Sequence, residues 1–253
     1  MHITVALGQM PLGPDVQGNL AHILKAVKAC QPGDLLLLPE GALSGYQNHT
    51  GWVHTLDAQA IAAGIVSIRD AVEAQQIYAL CGTYAQVGSD WVNRALGFGP
   101  EGLMFTYDKV NLSLAERTEV VAGNQLPVWH IAHPHGPLCI GVQICREIRF
   151  PAQWRALATQ GAQVLCFLTS SSGSLLDTPV WRSHLISRAA ENQRFVVAVN
   201  HALTNSQCPS LIADPHGQVY WEDASSRARF HRQRLDLSQV SDWYLSQQRH
   251  DLL

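Results

Sequence analysis

The chain has 253 residues, 47% hydrophobic and 15% charged, with a formal charge of −3. That length buries a sizeable core, and the absence of any basic cluster excludes nucleic acid as a partner, the densest stretch, SSRARFHRQR, being short and reading as a late edge strand. No apolar run is long enough for a membrane span, the opening MHITVALGQM lacks the cationic and apolar regions of a secretion signal, and Cys30, Cys81, Cys139, Cys145, Cys166 and Cys208 show no CxxC pair or Cys/His ligand spacing, so free thiols in a reducing cytoplasm without structural zinc are expected.

Strands and helices alternate along the chain. HITVALGQ reads as a strand, and DVQGNLAHILKAVKAC (15–30) carries apolar positions at helical spacing up to QPGD. DLLLLPE is a continuous apolar run, as expected of a strand buried on both faces. Residues 57–75 read as a second helix, and IYALCGTYAQ, WVNRALGFG and GLMFTYD as three strands with a turn at GPEG. Residues 108–127 read as a charged loop. PLCIGVQIC then begins a similar pattern: helix PAQWRALATQGA with Pro151 in its first turn, strand QVLCFLTS, helix TPVWRSHLISRAAENQ, and strands RFVVAVNHA, PSLIADPHG and QVYWED. Helix–strand–helix–strand–strand thus occurs twice. This predicts two pseudo-symmetric βα layers within one domain over residues 1–253, sheets inside and helices outside. The polar tail from about residue 236, with Trp243 and Tyr244, is expected at a subunit interface.

Three strand ends carry chemistry. Glu40 closes DLLLLPE, Lys109 follows LMFTYDK, and Cys145 closes LCIGVQIC just before an RFP turn. A thiol at a strand-to-helix junction faces a helix N-terminus, which favours thiolate. An ordinary cysteine, with a pKa near ~8.5, is only slightly ionised at neutral pH and needs a base. Glu40 is placed to take the thiol proton and later to activate water. Lys109 as an ammonium, together with the Arg146 N–H, is placed to hold the oxyanion of a tetrahedral intermediate. Taken singly, Cys145 reads as a buried strand cysteine like Cys81 or Cys166, Glu40 as a strand-end carboxylate and Lys109 as a surface turn lysine; the function lies in the combination.

That combination resembles the nitrilase superfamily, the carbon–nitrogen hydrolases with a Glu–Lys–Cys triad, over about residues 3–222. LLLLPEGALSGY, YDKVNL and GVQICREIRFP are similar to its three blocks in order, the triad residues lying 69 and 36 positions apart. SRAAENQRFVVAVN and SLIADPHGQV resemble later structural blocks. The resemblance implies an α/β four-layer α-β-β-α sandwich, a homodimer or higher homo-oligomer, no cofactor or metal, and a small-molecule amide as substrate. It also implies a second glutamate in the loop NLSLAERTEVVAGN, with Glu116 in that slot and Glu119 as the runner-up. Nitrile hydrolysis through a thioimidate and a non-catalytic binding relative are the alternatives. The sequence departs from the family's pattern at Asn111, Arg146 and Ala152, which leaves the triad intact and the substrate open.

Other residues receive plainer readings. HPHG (133–136) reads as an exposed turn rather than a metal site. His184 reads as a surface or interface residue, and neither it nor His201 as a partner of Cys145. Trp154 and Trp181 read as packing residues and Asn200 as structural. Tyr46, Ser170 and Ser171 follow strand ends and are expected, with the Arg146 side chain, to border the substrate pocket.

Overall fold

The computed structural model describes residues 1–47, 49 and 51–249. Twelve named strands and four α-helices form two halves. The first runs β1 (His2–Gln9), α1 (Val16–Ala29), β2 (Leu35–Leu37), α2 (Ala58–Gln75), β3 (Tyr78–Val87), β4 (Asp90–Gly99) and β5 (Gly102–Asp108). After β6 (Val128–His133), the second runs β7 (Gly136–Ile144), α3 (Pro151–Thr159), β8 (Val164–Leu168), α4 (Thr178–Asn192), β9 (Phe195–Val199), β10 (Ser210–Ala213) and β11 (Val219–Asp223), and β12 (Arg229–Asp236) closes the series.

The two sheets have orders β12-β1-β2-β3-β4-β5 and β11-β10-β9-β8-β7-β6. Read from matching ends they superpose in type: β1-β2-β3 and β7-β8-β9 are parallel, and the flanking pairs are antiparallel. β12 on β1 is therefore the counterpart of β6 on β7. The repeat expected from the sequence is present, and the structure adds the strand β6. In VWHIAH the buried positions Trp129, Ile131 and His133 do alternate, but two histidines and an alanine blur the pattern.

Three hydrophobic layers hold four structural layers together. Ile3, Val5, Leu7, Leu35, Leu37 and Leu80 meet Ile140, Val142, Val164, Leu168, Phe195 and Val197 between the sheets. Ile23, Val27, Ile61, Ile68 and Val72 press α1 and α2 onto one outer sheet face, and Trp154, Leu157, Leu185 and Ala189 press α3 and α4 onto the other. Each fully buried Leu or Val contributes about 1.5–3 kcal/mol. The central strands are buried on both faces, which is why β2 and β8 read as unbroken apolar runs. Asp15 and Asp57 cap α1 and α2 by accepting backbone N–H groups, and Pro151 opens α3.

Parallel strands place their C-terminal ends together. Glu40 follows β2, Cys145 follows β7 and Ser170 follows β8, so the expected chemistry gathers at one end of the paired sheets. Glu40 and Ser170 occupy equivalent places in the two halves, and they touch: Ser170 Oγ donates to Glu40 O at 2.6 Å and Ser170 N–H to Glu40 Oε2 at 2.9 Å.

Candidate active site

Each of the three strand ends is held by its own local device. β2 stops at Leu37, and the chain turns at Gly41, whose φ of +65° suits glycine. Opposite, β3 passes so close that a Cβ on Gly82 would lie 2.4 Å from Pro39 O and 2.6 Å from Glu40 Cα. Lys109 is pinned through its backbone: its N–H donates to Asn93 O at 2.8 Å, and its carbonyl accepts Gly123 N–H at 2.9 Å. Asp108, just before it, takes Arg94 in a two-point pair at 2.6 and 2.8 Å. Cys145 begins the short 3-10 turn Cys145–Arg149 with a φ of +46°. Only Gln76 and Gln193 share positive φ among the described non-glycine residues, and both end helices. At Cys145 the strained backbone falls on the candidate nucleophile instead.

Lys109 Nζ lies between two carboxylates, 2.9 Å from Glu40 Oε1 and 2.9 Å from Glu116 Oε2, and all three side chains are buried. Burial alone would strip the ammonium of its proton; the charges of Glu40 and Glu116 outweigh it and hold Lys109 well above the ordinary lysine value. Burial likewise opposes ionisation of Glu116, but the Lys109 charge and hydrogen bonds from Lys109, Asn93 and Tyr84 pull its pKa down to about 2. Cys145 lies near enough to feel Glu40, Lys109 and Glu116. Burial and then the Glu40 charge push its thiol up to about 12, with Lys109 and the nearby Thr169 hydroxyl acting the other way. Thr169 Oγ1 is itself buried without a hydrogen bond of good geometry. The resting thiol is therefore neutral, although Cys145 keeps part of its surface open to solvent.

The expected residues divide by what they touch. Glu116 is the carboxylate on Lys109; Glu119 turns away and accepts the Gly51 N–H. Tyr46 lies within electrostatic reach of Glu40, Cys145, Lys109 and Glu116; burial and then the Glu40 charge raise its phenol pKa, while Lys109 acts the other way. A cavity of about 430 Å³ lies beside Tyr46, bordered by Ser44, Trp52, Asp57 and the start of α1. None of Glu40, Lys109 and Cys145 is among its lining residues. Ser170, expected as a substrate contact, is almost fully buried and spends its N–H and hydroxyl on Glu40, because the strand end it occupies abuts the Glu40 turn. The Arg146 side chain is exposed, while its N–H is among the first donors of the turn, which have no partner within a helix.

The remaining candidates have structural partners. His133 is buried rather than exposed: one ring nitrogen meets Gly33 O at 2.8 Å and the other accepts His135 N–H, while Pro134 and His135 stay at the surface of the turn. His201 is buried between Ser172 and Ser206, and His184 meets Arg149. Trp154 and Trp181 pack in the core of α3 and α4. Asn200 bonds Cys208 O and Ser171 O. Among the described residues, no group of three or more His, Cys, Asp or Glu is arranged around a possible metal.

Three contributors are not among the sequence candidates. Asn93 Nδ2 reaches both glutamates, and the Tyr84 hydroxyl donates to Glu116 Oε1 at 2.7 Å. Glu147 binds the lysine segment to the nucleophile turn. Its Oε1 accepts from Tyr107 OH and from the Val110 and Asn111 N–H groups, and its Oε2 from Ile144 N–H at 2.7 Å. Glu147 stands inside the quoted block GVQICREIRFP and Asn93 inside WVNRALGFG. Their residue types alone carry no sign that distant donors and acceptors converge on them.

The layered architecture and the buried Glu–Lys–Glu cluster beside a thiol define a class of hydrolase folds. The chain belongs to the carbon–nitrogen hydrolase family, whose model matches residues 4–243. It is 28% identical over 235 residues to an (R)-stereoselective amidase of Pseudomonas sp, covering 89% of this chain and 82% of that one. It is 27% identical over 221 residues to a nitrilase of Pyrococcus abyssi, covering 85% of this chain and 81% of that one. In fold it matches an amidase variant from Nesterenkonia sp. AN1 with a TM-score of 0.84 at 23% identity, over 99% of this chain and 95% of that one. That structure carries the acetamide moiety of fluoroacetamide covalently added at its active-site cysteine.

Proposed function

We propose that this carbon–nitrogen hydrolase is an amidase that cleaves small linear amides through a thioester on Cys145, with Glu40 as base, Lys109 as oxyanion stabiliser and Glu116 as the carboxylate that keeps Lys109 charged and in place. One observation carries this reading: a buried ammonium and a buried carboxylate, in direct contact, lie within electrostatic reach of a neutral thiol. A neutral thiol is a poor nucleophile, so attack needs simultaneous proton transfer. As Cys145 Sγ bonds the carbonyl carbon, its proton passes to Glu40. The new oxyanion lies against Lys109 Nζ and the Arg146 N–H. Glu40 then gives the proton to the departing nitrogen, the C–N bond breaks, and ammonia or an amine leaves. Water, deprotonated by Glu40, attacks the thioester; the acid departs and Cys145 recovers its proton.

The amidase reading is favoured by the Pseudomonas and Nesterenkonia relatives, and the nitrilase reading by the Pyrococcus relative. Ammonia release from matched amide and nitrile pairs separates them. The amide is expected to turn over faster than its nitrile, with Cys145→Ala slower by on the order of 10⁴-fold or more. A nitrile preference overturns the choice of substrate class, and an active Cys145→Ala overturns the nucleophile.

One hydrolase domain, working as a homodimer or higher homo-oligomer in the cytoplasm, completes this reading. Exposed Leu175, Leu176, Trp243 and Tyr244 favour association, and six unpaired cysteines favour a reducing compartment. Among the described residues, no helix is long and apolar enough to cross a membrane.

A further inference from the structure

We infer that Asn93 is a positioning residue for the reaction: its side-chain nitrogen ties Glu40 and Glu116 together against Lys109, and so aims Glu40 at the Cys145 thiol. The inference rests on the assignment of Glu40 as base.

Asn93 lies in the middle of β4 and is fully buried. Its Nδ2 is 2.8 Å from Glu40 Oε1, 2.6 Å from Glu116 Oε1 and 3.1 Å from Tyr84 OH. An amide nitrogen has two hydrogens for these three acceptors. The Tyr84 hydroxyl already donates to Glu116 Oε1, so the two carboxylates are the strong acceptors. The backbone of the same residue receives the Lys109 N–H through Asn93 O at 2.8 Å. One residue thus holds Glu40, Glu116 and Lys109 at once, although they come from three separate segments.

The other end of the amide gives the second observation. Asn93 Oδ1 is buried and has no hydrogen-bond partner among the described residues. Asn192 and Gln143 also leave a buried amide oxygen without a partner, so what sets Asn93 apart is which acceptors its nitrogen faces. Turning this one over would place its oxygen against two carboxylates, so the orientation is dictated by the glutamates and the oxygen is left bare. The titratable groups facing the cluster are Glu40 after β2, Tyr84 on β3, Lys109 after β5, Glu116 in the following loop, Cys145 after β7 and Tyr46 after the Glu40 turn. The neighbouring Arg94 is neutralised by Asp108.

A donor to two carboxylates favours their ionised forms. Removing it therefore makes the cluster take up a proton at higher pH. The test is the rate of Cys145 alkylation by iodoacetamide, followed by peptide mass spectrometry across roughly pH 3 to 10, in the wild-type chain, Asn93→Ser and Asn93→Asp. The first variant shortens the side chain and the second is isosteric, so loss of folding in one leaves the other to decide. In Asn93→Ser the acid limb of the rate profile is expected to move up by on the order of one pH unit. In Asn93→Asp, with a third carboxylate in the cluster, it moves further. A residue that merely fills space would lower the melting temperature and leave the limb in place; an unmoved limb in a folded variant overturns the inference. Ammonia release from butyramide is measured on the same proteins. A moved alkylation limb without turnover in any of them would remove the amidase reading and leave the role of Asn93 standing.

Discussion

At the scale of single residues, the site works because opposed effects are balanced at each atom. Lys109 and its two glutamates form a buried charged cluster, and such clusters are weak contributors to net stability because desolvation offsets attraction. Removing one member is far more costly, about 3–5 kcal/mol, since an unpaired charge stays behind. The cluster is therefore better understood as an electrostatic device than as a brace. It keeps Lys109 cationic where burial alone would neutralise it, and Glu116 ionised down to about pH 2. Cys145 falls on the other side of the balance. Burial and the Glu40 charge keep its proton on at neutral pH, so in the proposed mechanism the sulfur attacks only as Glu40 accepts that proton. Glu147 contributes at a distance from the sulfur: four donors from two segments meet on its carboxylate and set the spacing between the Lys109 loop and the Cys145 turn.

At the scale of elements, close approach of backbones decides where the carboxylate sits. β3 can lie against the Glu40 turn only because position 82 lacks a side chain. Gly82→Ala is expected to push Pro39 and Glu40 away from Asn93 and Lys109. Turnover should fall by about tenfold or more for a displacement near 1 Å, with folding retained by circular dichroism; wild-type turnover would show that the turn accommodates the methyl elsewhere. Much of this arrangement was legible in the sequence. DLLLLPE and QVLCFLTS announce doubly covered strands because their centres, LLLL and VLCFL, are unbroken apolar runs, and their ends therefore mark where loops converge. The sequence places Glu40, Lys109 and Cys145 at three strand ends, and the family resemblance implies Glu116 in the loop after Lys109; the structure brings the two glutamates onto Lys109. The contribution of Asn93 was not legible, because it depends on two partners 53 and 23 residues away, and an asparagine in a strand looks ordinary in isolation. The bonds from Ser170 to Glu40 were not legible, since pseudo-symmetry between strand ends appears in space and not as matching residue types. β6 was lost for a local reason, its alternation diluted by His130 and Ala132.

At the scale of the whole molecule, buried titratable groups shape how stability depends on pH. His201 is held at about 4 by burial against its ordinary 6.5, and Glu116 at about 2 against 4.5. In both cases the unfolded chain takes up protons that the folded chain refuses, so stability falls as pH drops from 6.5 toward 4 and continues to fall from 4.5 toward 2. Cys30, Cys81 and Cys145 are raised by burial to about 12 from 9.0. Their stabilisation is complete below pH 9.0 and is lost as pH rises toward 12. The melting temperature should therefore trace a plateau between the two limbs, and His201→Asn should flatten the acid limb above pH 4; an acid limb unchanged in that variant would show that other groups govern it. The claim that two sheets exist to bring Glu40, Lys109 and Cys145 to one point is tested most directly by quenching the enzyme during turnover of a slow amide and mapping the acyl group by peptide mass spectrometry. A single acyl adduct on Cys145, absent from Cys145→Ala, is expected; an adduct on Cys139 or Cys208, or amide hydrolysis that persists in Cys145→Ala, would contradict it.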